Sequence, residues 1–168
     1  TPGGERIVHC LQCGSCGGSC PNGADMDHTP RTLFALINAN RKAEVLKSNT
    51  MWCCVSCYFC TSRCPQNIPI TDIMYTLKRI SVKENKSTQP DAVGLARSFN
   101  HYIEQYGRSF EFGLASRFYM TRKPGSLLGL GPFGLKMFSK GRLHLKPKKI
   151  RQMDQLSKIL AKARELGA

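Results

Sequence analysis

Eight cysteines fall into two runs of identical spacing. The first, CLQCGSCGGSCP, places Cys10, Cys13, Cys16 and Cys20 ahead of Pro21; the second, CVSCYFCTSRCP, places Cys54, Cys57, Cys60 and Cys64 ahead of Pro65. Both read C-x2-C-x2-C-x3-C-P, and the second copy starts 44 residues after the first. Three thiols two residues apart on a tight loop can each meet one iron of a single cubane, while inward backbone N–H groups hydrogen-bond the sulfurs. The fourth cysteine lies too far round the turn to close the same cube comfortably, and in two-cluster ferredoxins it ligates the neighbouring cluster. The spacing therefore predicts two [4Fe–4S] clusters with exchanged fourth ligands. One is expected on Cys10, Cys13, Cys16 and Cys64, the other on Cys54, Cys57, Cys60 and Cys20. Structural zinc is the bland alternative, but its sites use C-x2-C pairs separated by a longer loop rather than a compact run ending in Pro. Only Cys54 starts the two-two-three spacing, so Cys53 is expected to be a spare, packed thiol beside Trp52.

The elements that must hold these loops read as helices. Pro21 and Pro65 fix φ after the last cysteine of each run and turn the chain away. Between the runs, TPRTLFALINANRKAEVLKS reads as one helix, with Thr29 as N-cap, Pro30 at the first position, and Leu33, Leu36, Ile37 and Val45 on one face. After the second run, ITDIMYTLKRISVKEN reads as another, capped by Thr71, with Ile73, Met74, Leu77 and Ile80 inward. No stretch alternates like a strand, so an all-α fold is expected. Trp52, Tyr58 and Phe59 are expected to pack beside the second cluster and keep water from it.

Beyond Pro90 the chain changes character. DAVGLARSFNHYIEQYG reads as a helix with apolar contacts from Val93, Leu95, Phe99, Tyr102 and Tyr106. The stretch that follows is rich in Gly, Pro, aromatic residues and cations. It is expected to need a partner surface to cover Phe110, Phe112, Phe118, Tyr119, Phe133 and Phe138. In the last segment Ile150, Met153, Leu156, Leu160 and Ala163 form a helical stripe suited to a partner, a membrane surface or its own domain. The expected organisation is a two-cluster domain over residues 1–88 and a basic, helix-containing docking extension over 89–168.

The 168 residues suit one domain with an arm, and no cysteine follows Cys64, which argues against a disulfide framework spread over a secreted fold. No window is long and apolar enough to span a bilayer, and no signal peptide is recognised, so a reducing, cytoplasmic setting is expected. The formal charge is +14, and no acidic residue interrupts the nine cations from Arg117 to Lys149. Two clusters, each with four thiolates around a 2+ core, would leave about +10. Such a surface suits an acidic partner protein, an acidic nucleotide-binding neighbour or anionic lipid. Nucleic acid is the competing class, but basic residues alone specify no groove-reading element, so none is expected as a partner. His9, His28, His101 and His144 are scattered without ligand spacing. No catalytic residue is assigned, because the sequence has no Ser–His–Asp set, no phosphate-binding Gly loop followed by Lys-Ser/Thr and no paired-carboxylate site. Electron transfer is the chemistry that remains.

The runs and their flanks, CLQCGSCGGSCP and MWCCVSCYFCTSRCPQNIPITDIM, resemble the C subunit of heterodisulfide reductases and its relatives in sulfur-oxidising bacteria. Trp52, Arg63 and the ITDIM segment suit that family, and YGRSFE and GLKMFSKGRLHLKPKKI extend the resemblance over most of the chain. It implies an α-helical ferredoxin domain, similar to that of succinate dehydrogenase iron–sulfur subunits, carrying two [4Fe–4S] clusters. It also implies partners: a flavin-containing A-type subunit and an iron–sulfur B-type subunit that performs disulfide or related sulfur chemistry. The methanogen complexes reduce a heterodisulfide, whereas the bacterial type runs oxidatively on a protein-bound sulfur substrate. The competing expectation with the same cofactors is the iron–sulfur subunit of a membrane-linked dehydrogenase or quinone-reacting complex, with peripheral association to the membrane.

Overall fold

The computed structural model describes residues 2–142, 144 and 146–166, with the backbone alone for Leu127, Leu128 and Leu130. Leu143, Leu145, Gly167 and Ala168 of the expected extension lie outside the described residues. Every regular element among the described residues is helical, as the absence of alternating segments predicts. The chain divides into two compact units, Thr1–Pro90 and Asp91–Ala168.

In the first unit the cysteine runs fold into loops that each contain one helical turn, α1 (Ser15–Gly18) and α5 (Phe59–Ser62). The intervening segment starts as expected. Thr29 Oγ1 accepts the Thr32 N–H at 3.4 Å, and Pro30 opens the first turn of α2 (Pro30–Asn38). The single helix expected here is two, however, because α3 (Lys42–Lys47) starts afresh. Asn40 takes φ +59°, the Arg41 N–H donates to Leu36 O at 2.9 Å, and the Asn40 N–H donates to Ile37 O at 3.0 Å. This is a Schellman termination with Asn in the left-handed position. The break brings Val45 and Leu46 into the core beside Leu33 and Phe34, while Leu36 and Ile37 are only half-buried.

A short α4 (Thr50–Cys53) buries Met51 and leads into the second run. The last helix of this unit, α6 (Ile70–Lys83), buries Ile73, Met74 and Leu77, with Ile80 half-buried against them. Thr71 is not its cap. It lies buried in the first turn, where its N–H donates to Thr61 Oγ1 at 3.2 Å and its hydroxyl lies 3.3 Å from the same atom. A tertiary contact with the second cysteine loop has taken the place of a local one. The Ser81 hydroxyl donates to Leu46 O at 2.9 Å, fastening α6 to α3 through a satisfied buried polar group.

The second unit comprises α7 (Pro90–Tyr106), α8 (Glu111–Arg122), α9 (Leu127–Ser139) and α10 (Met153–Glu165). Val93 is buried as expected, but Leu95 and Phe99 are 45% and 43% exposed. Tyr102, Tyr106 and Phe110 pack ring against ring, with Tyr102 centroids 6.1 Å and 5.7 Å from the other two. The aromatic stretch thus closes part of its own surface, while Phe112, Met120, Phe133, Leu135 and Phe138 remain exposed. Gly107 has φ +74°, and any Cβ there would collide with Ile150, whose N–H donates to Tyr106 O at 3.0 Å. Along α10, Met153, Leu156, Leu160 and Ala163 are half-buried, and Arg164 pairs with Glu104 of α7 at 2.6 Å. The stripe therefore faces its own unit. No helix among the described residues is long and apolar enough to cross a membrane.

The split between α2 and α3 depends on one residue in a conformation that favours Gly over any side chain. Asn40→Gly should leave the melting temperature of the cluster-loaded protein unchanged or raise it. Asn40→Val should destabilise it by about 1–2 kcal/mol, read from thermal unfolding.

Candidate metal centre

The repeat in sequence is a repeat in backbone. Gln12 and Ser56, 44 positions apart, both take left-handed φ values of +56° and +58°. Gly14 and Tyr58 do the same at +83° and +62°. The hydrogen bonds that close each loop match too. Cys20 N–H donates to Gly17 O at 3.2 Å and Cys64 N–H to Thr61 O at 3.3 Å; Gly23 N–H donates to Cys20 O at 3.2 Å and Asn67 N–H to Cys64 O at 3.0 Å. Left-handed residues at two successive steps reverse the chain around each cysteine, which turns three thiols of a loop toward one side. The turns α1 and α5 then lie against each other.

Two cavities open between the loops. The first is lined by Cys10, Cys13 and Cys16 of the first run and by Cys64 of the second. The second is lined by Cys54, Cys57 and Cys60 and by Cys20 of the first run. The remaining walls obey the same exchange: Leu11, Pro65 and Ile70 line the first, Val55, Pro21 and Met26 the second. Ile70 lines both, so the two spaces share a wall.

The electrostatics reflect the crowding of thiols from both runs. Burial pushes the Cys20 thiol above its ordinary pKa, and the nearby Cys60, Cys57 and Cys54 push it further. Burial likewise raises Cys16, with Cys10 and Cys60 adding to it. Cys13 is lowered instead, chiefly by the Ser15 hydroxyl 3.5 Å from its sulfur, then by the Ser15 N–H, with a smaller contribution from Arg31. Several thiolates cannot be held so close in a partly apolar cavity unless a cation offsets their charge. A soft, sulfur-only donor set selects zinc, copper(I) or an iron–sulfur cluster. Among the described residues no three His, Cys, Asp or Glu side chains converge tightly enough to hold one metal ion. The four sulfurs instead surround open space, which suits a cubane with an iron facing each sulfur.

The neighbours of the second cavity differ from expectation in part. Trp52 is half-buried against the core, with Lys78 Nζ 6.0 Å from its ring centroid. Tyr58 borders the cavity and is 45% exposed, while Phe59 is 57% exposed and does not line it. Cys53 points away from both cavities' linings. Its sulfur donates to Asp25 O at 3.7 Å, and burial, then Asp25 and Asp27, keep the thiol above its ordinary pKa. Of the histidines, His28 stands 3.9 Å from Glu44. Sequence reasoning missed several residues at the sites: Gln12, whose amide donates to Cys10 Sγ at 3.4 Å, and Arg31, Met26 and Ile70 in the cavity walls. The offset of 44 finds Gln12 through Ser56, its counterpart in the second run; past the prolines α2 and α6 start 40 residues apart, so Arg31 corresponds to Thr71.

Residues 9–69 match the family model of a 4Fe-4S dicluster domain. The chain is 40% identical over 81 residues to the C subunit of the ferredoxin:CoB-CoM heterodisulfide reductase of Methanosarcina mazei, covering 48% of this chain and 50% of that protein. It is 41% identical over 81 residues to the C subunit of the ferredoxin/F420H2-dependent CoB-CoM heterodisulfide reductase of Methanosarcina acetivorans, covering 48% and 50%. To the C subunit of the H2:CoB-CoM heterodisulfide,ferredoxin reductase of Methanothermobacter marburgensis it is 35% identical over 81 residues, covering 48% and 44%. The chain thus spans about half the length of the curated relatives it matches, and these matches are shorter than the resemblance over most of the chain implied by its flanks. The cysteine-bearing part of the chain thus matches a dicluster domain, with two [4Fe–4S] clusters as its cofactors, and it is similar in sequence to the C subunit of heterodisulfide reductases.

Proposed function

We propose that Cys10, Cys13, Cys16 and Cys64 ligate the first cluster, that Cys54, Cys57, Cys60 and Cys20 ligate the second, and that the pair forms an electron wire. The observation that carries this reading is the exchange of Cys20 and Cys64 between two cavities that share Ile70 in their walls. Three thiols from one loop and one from the other complete a four-sulfur set on each side, with none left over and Cys53 excluded. The clusters supply one-electron chemistry. The chain supplies thiolates, inward N–H groups and a shared wall that keeps the two centres close.

The wire serves as the electron-transfer subunit of a heterodisulfide reductase-like complex. It relays electrons between a flavin-containing A-type subunit and a B-type iron–sulfur subunit where sulfur bonds are made or broken, in a reducing, cytoplasmic setting. Similarity to the C subunits of such reductases supports this role. The second unit is the docking extension, where exposed Phe133, Leu135 and Phe138 accompany Lys136, Lys140 and Arg142, a surface suited to acidic partner subunits.

Anaerobic purification should yield brown protein with about eight irons per chain, the content of two four-iron clusters, together with the flavin and sulfur-handling subunits. Colourless protein with stoichiometric zinc would end the proposal. The exchange of ligands has its own test in paired substitutions. Cys20→Ala with Cys60→Ala should remove one cluster and leave about four irons, whereas Cys20→Ala with Cys16→Ala should cost both clusters. If iron loss instead follows the run in which the cysteines lie, the crossed assignment is wrong. Cys53→Ala should retain the full iron content; a loss equal to that of Cys54→Ala would make Cys53 a ligand.

A further inference from the structure

The offset of 44 relates Gln12 to Ser56, and each is hydrogen-bonded to the helix that follows its loop. Gln12 Nε2 donates to Arg31 O at 3.3 Å, tying the first loop to α2. The Ser56 and Tyr75 hydroxyls lie 2.6 Å apart, tying the second loop to α6. Each loop is therefore tied to its following helix, but by different groups. An amide has two N–H donors, and Gln12 directs the other to Cys10 Sγ at 3.4 Å. Ser56 carries one hydroxyl, and it is joined to Tyr75 rather than to a sulfur.

Two further substitutions between the copies act in the same direction. Ser15 places its hydroxyl 3.5 Å from Cys13 Sγ, whereas its counterpart Phe59 has no polar side-chain atom. Arg31, the second residue of α2, lines the first cavity, whereas Thr71, the second residue of α6, lines the second and is neutral. Against these stand Thr71, whose hydroxyl lies 3.8 Å from Cys60 Sγ, and Lys78, which donates to Cys54 O at 3.3 Å. Thr71 Oγ1 is already shared with Thr61, and Lys78 acts through a carbonyl and through space. The Gln12 amide meets a sulfur directly.

Reduction adds a negative charge to a cluster, and part of it resides on the cysteine sulfurs. A donor on such a sulfur is held more strongly in the reduced state and so raises the potential. We infer that Gln12 sets the first cluster's reduction potential above that of the second, so that an electron entering the pair rests on the side of Cys10, Cys13, Cys16 and Cys64. This rests on the ligand reading proposed above. It makes Gln12 a tuning residue outside the ligand set, placed by its left-handed backbone and by its second bond to α2.

The test is a potentiometric titration of the cluster-loaded full chain followed by EPR, on wild type, Gln12→Leu, Gln12→Gly and Ser56→Ala. Gln12→Leu removes the donor with little change in side-chain length. The higher of the two midpoint potentials should fall, by roughly a tenfold change in the reduced-to-oxidised ratio at fixed solution potential, about 59 mV for one electron. The lower should stay in place. Gln12→Gly should shift the same potential in the same direction, in a backbone conformation that Gly adopts without strain. Water entering where the side chain stood would stabilise the added charge and raise the potential, so a fall in this variant reports the lost donor and not exposure. Ser56→Ala should move neither value. Iron content separates the tuning role from the ligand assignment beneath it, since fewer than about eight irons in wild type would remove the ligand reading itself. With both clusters present, an unmoved higher potential in the two Gln12 variants would overturn the inference. So would equal shifts of both centres, or a shift in Ser56→Ala as large as that in Gln12→Leu.

Discussion

Each cavity takes three cysteines from one loop and one from the other, and this exchange is the constraint on which the rest of the first unit depends. Neither loop can enclose its space alone. The loops must meet, and α1 and α5 lie against each other where they do. At the crossing, Arg63 Nη1 donates to Ser19 Oγ at 3.3 Å, a bond between two positions that are themselves 44 residues apart. The equivalent positions of the two copies thus touch each other near a local two-fold relation, and Ile70 lies in the walls of both cavities. A small core of Leu33, Phe34, Leu46, Ile70, Met74 and their neighbours supports this arrangement from beneath. A cavity ringed by thiols contributes no apolar burial of its own, so metal binding and folding of these loops are coupled events.

The same constraint accounts for backbone conformations that local preference disfavours. Gln12, Ser56 and Tyr58 are non-glycine residues in the left-handed region, at about 1–2 kcal/mol each relative to the right-handed one. A loop that must present three thiols to one centre within seven residues needs such reversals, whatever side chains occupy them. The first copy meets one of them with Gly14. The second uses Tyr58, whose hydroxyl donates to Asp72 at 3.4 Å and so gains a contact that a glycine would lack.

What was legible in the sequence was what local chemistry decides. Cysteine spacing, the Thr29–Pro30 helix start and the inward faces of α2 and α6 all depend on residues within a turn or two of each other. The failures share a different cause. Asn40 ends α2 with one left-handed residue inside an apolar pattern that continues across it, so periodicity alone reads straight through the break. Thr71 has the side chain of a cap, but Thr61, ten residues earlier on the cysteine loop, engages it instead. Leu95 and Phe99 fall on an outer face of α7, where the choice of face is settled by Tyr102, Phe110 and Gly113 rather than by the helix's own pattern. The repeat itself was visible only where its residues are identical. Beyond the prolines the spacing slips from 44 to the 40 residues between the starts of α2 and α6, and the side chains differ in type, Arg31 against Thr71.

That divergence is where direction can enter a wire built on a repeat. Two centres held by equivalent backbones begin with equivalent inward N–H groups, ligand spacing and walls, so the scaffold alone gives no reason for an electron to prefer either. A preference must come from side chains that differ at corresponding positions and that touch the sulfur or its field. An exchange such as Leu11 for Val55 swaps one apolar wall for another and leaves the charge balance unchanged. The exchanges at positions 12 and 56, 15 and 59, and 31 and 71 do not. Each puts the more polar or positive group on the first copy, where three independent substitutions act on the same four-sulfur set. A two-fold scaffold supplies proximity, and its departures from two-fold symmetry supply the gradient.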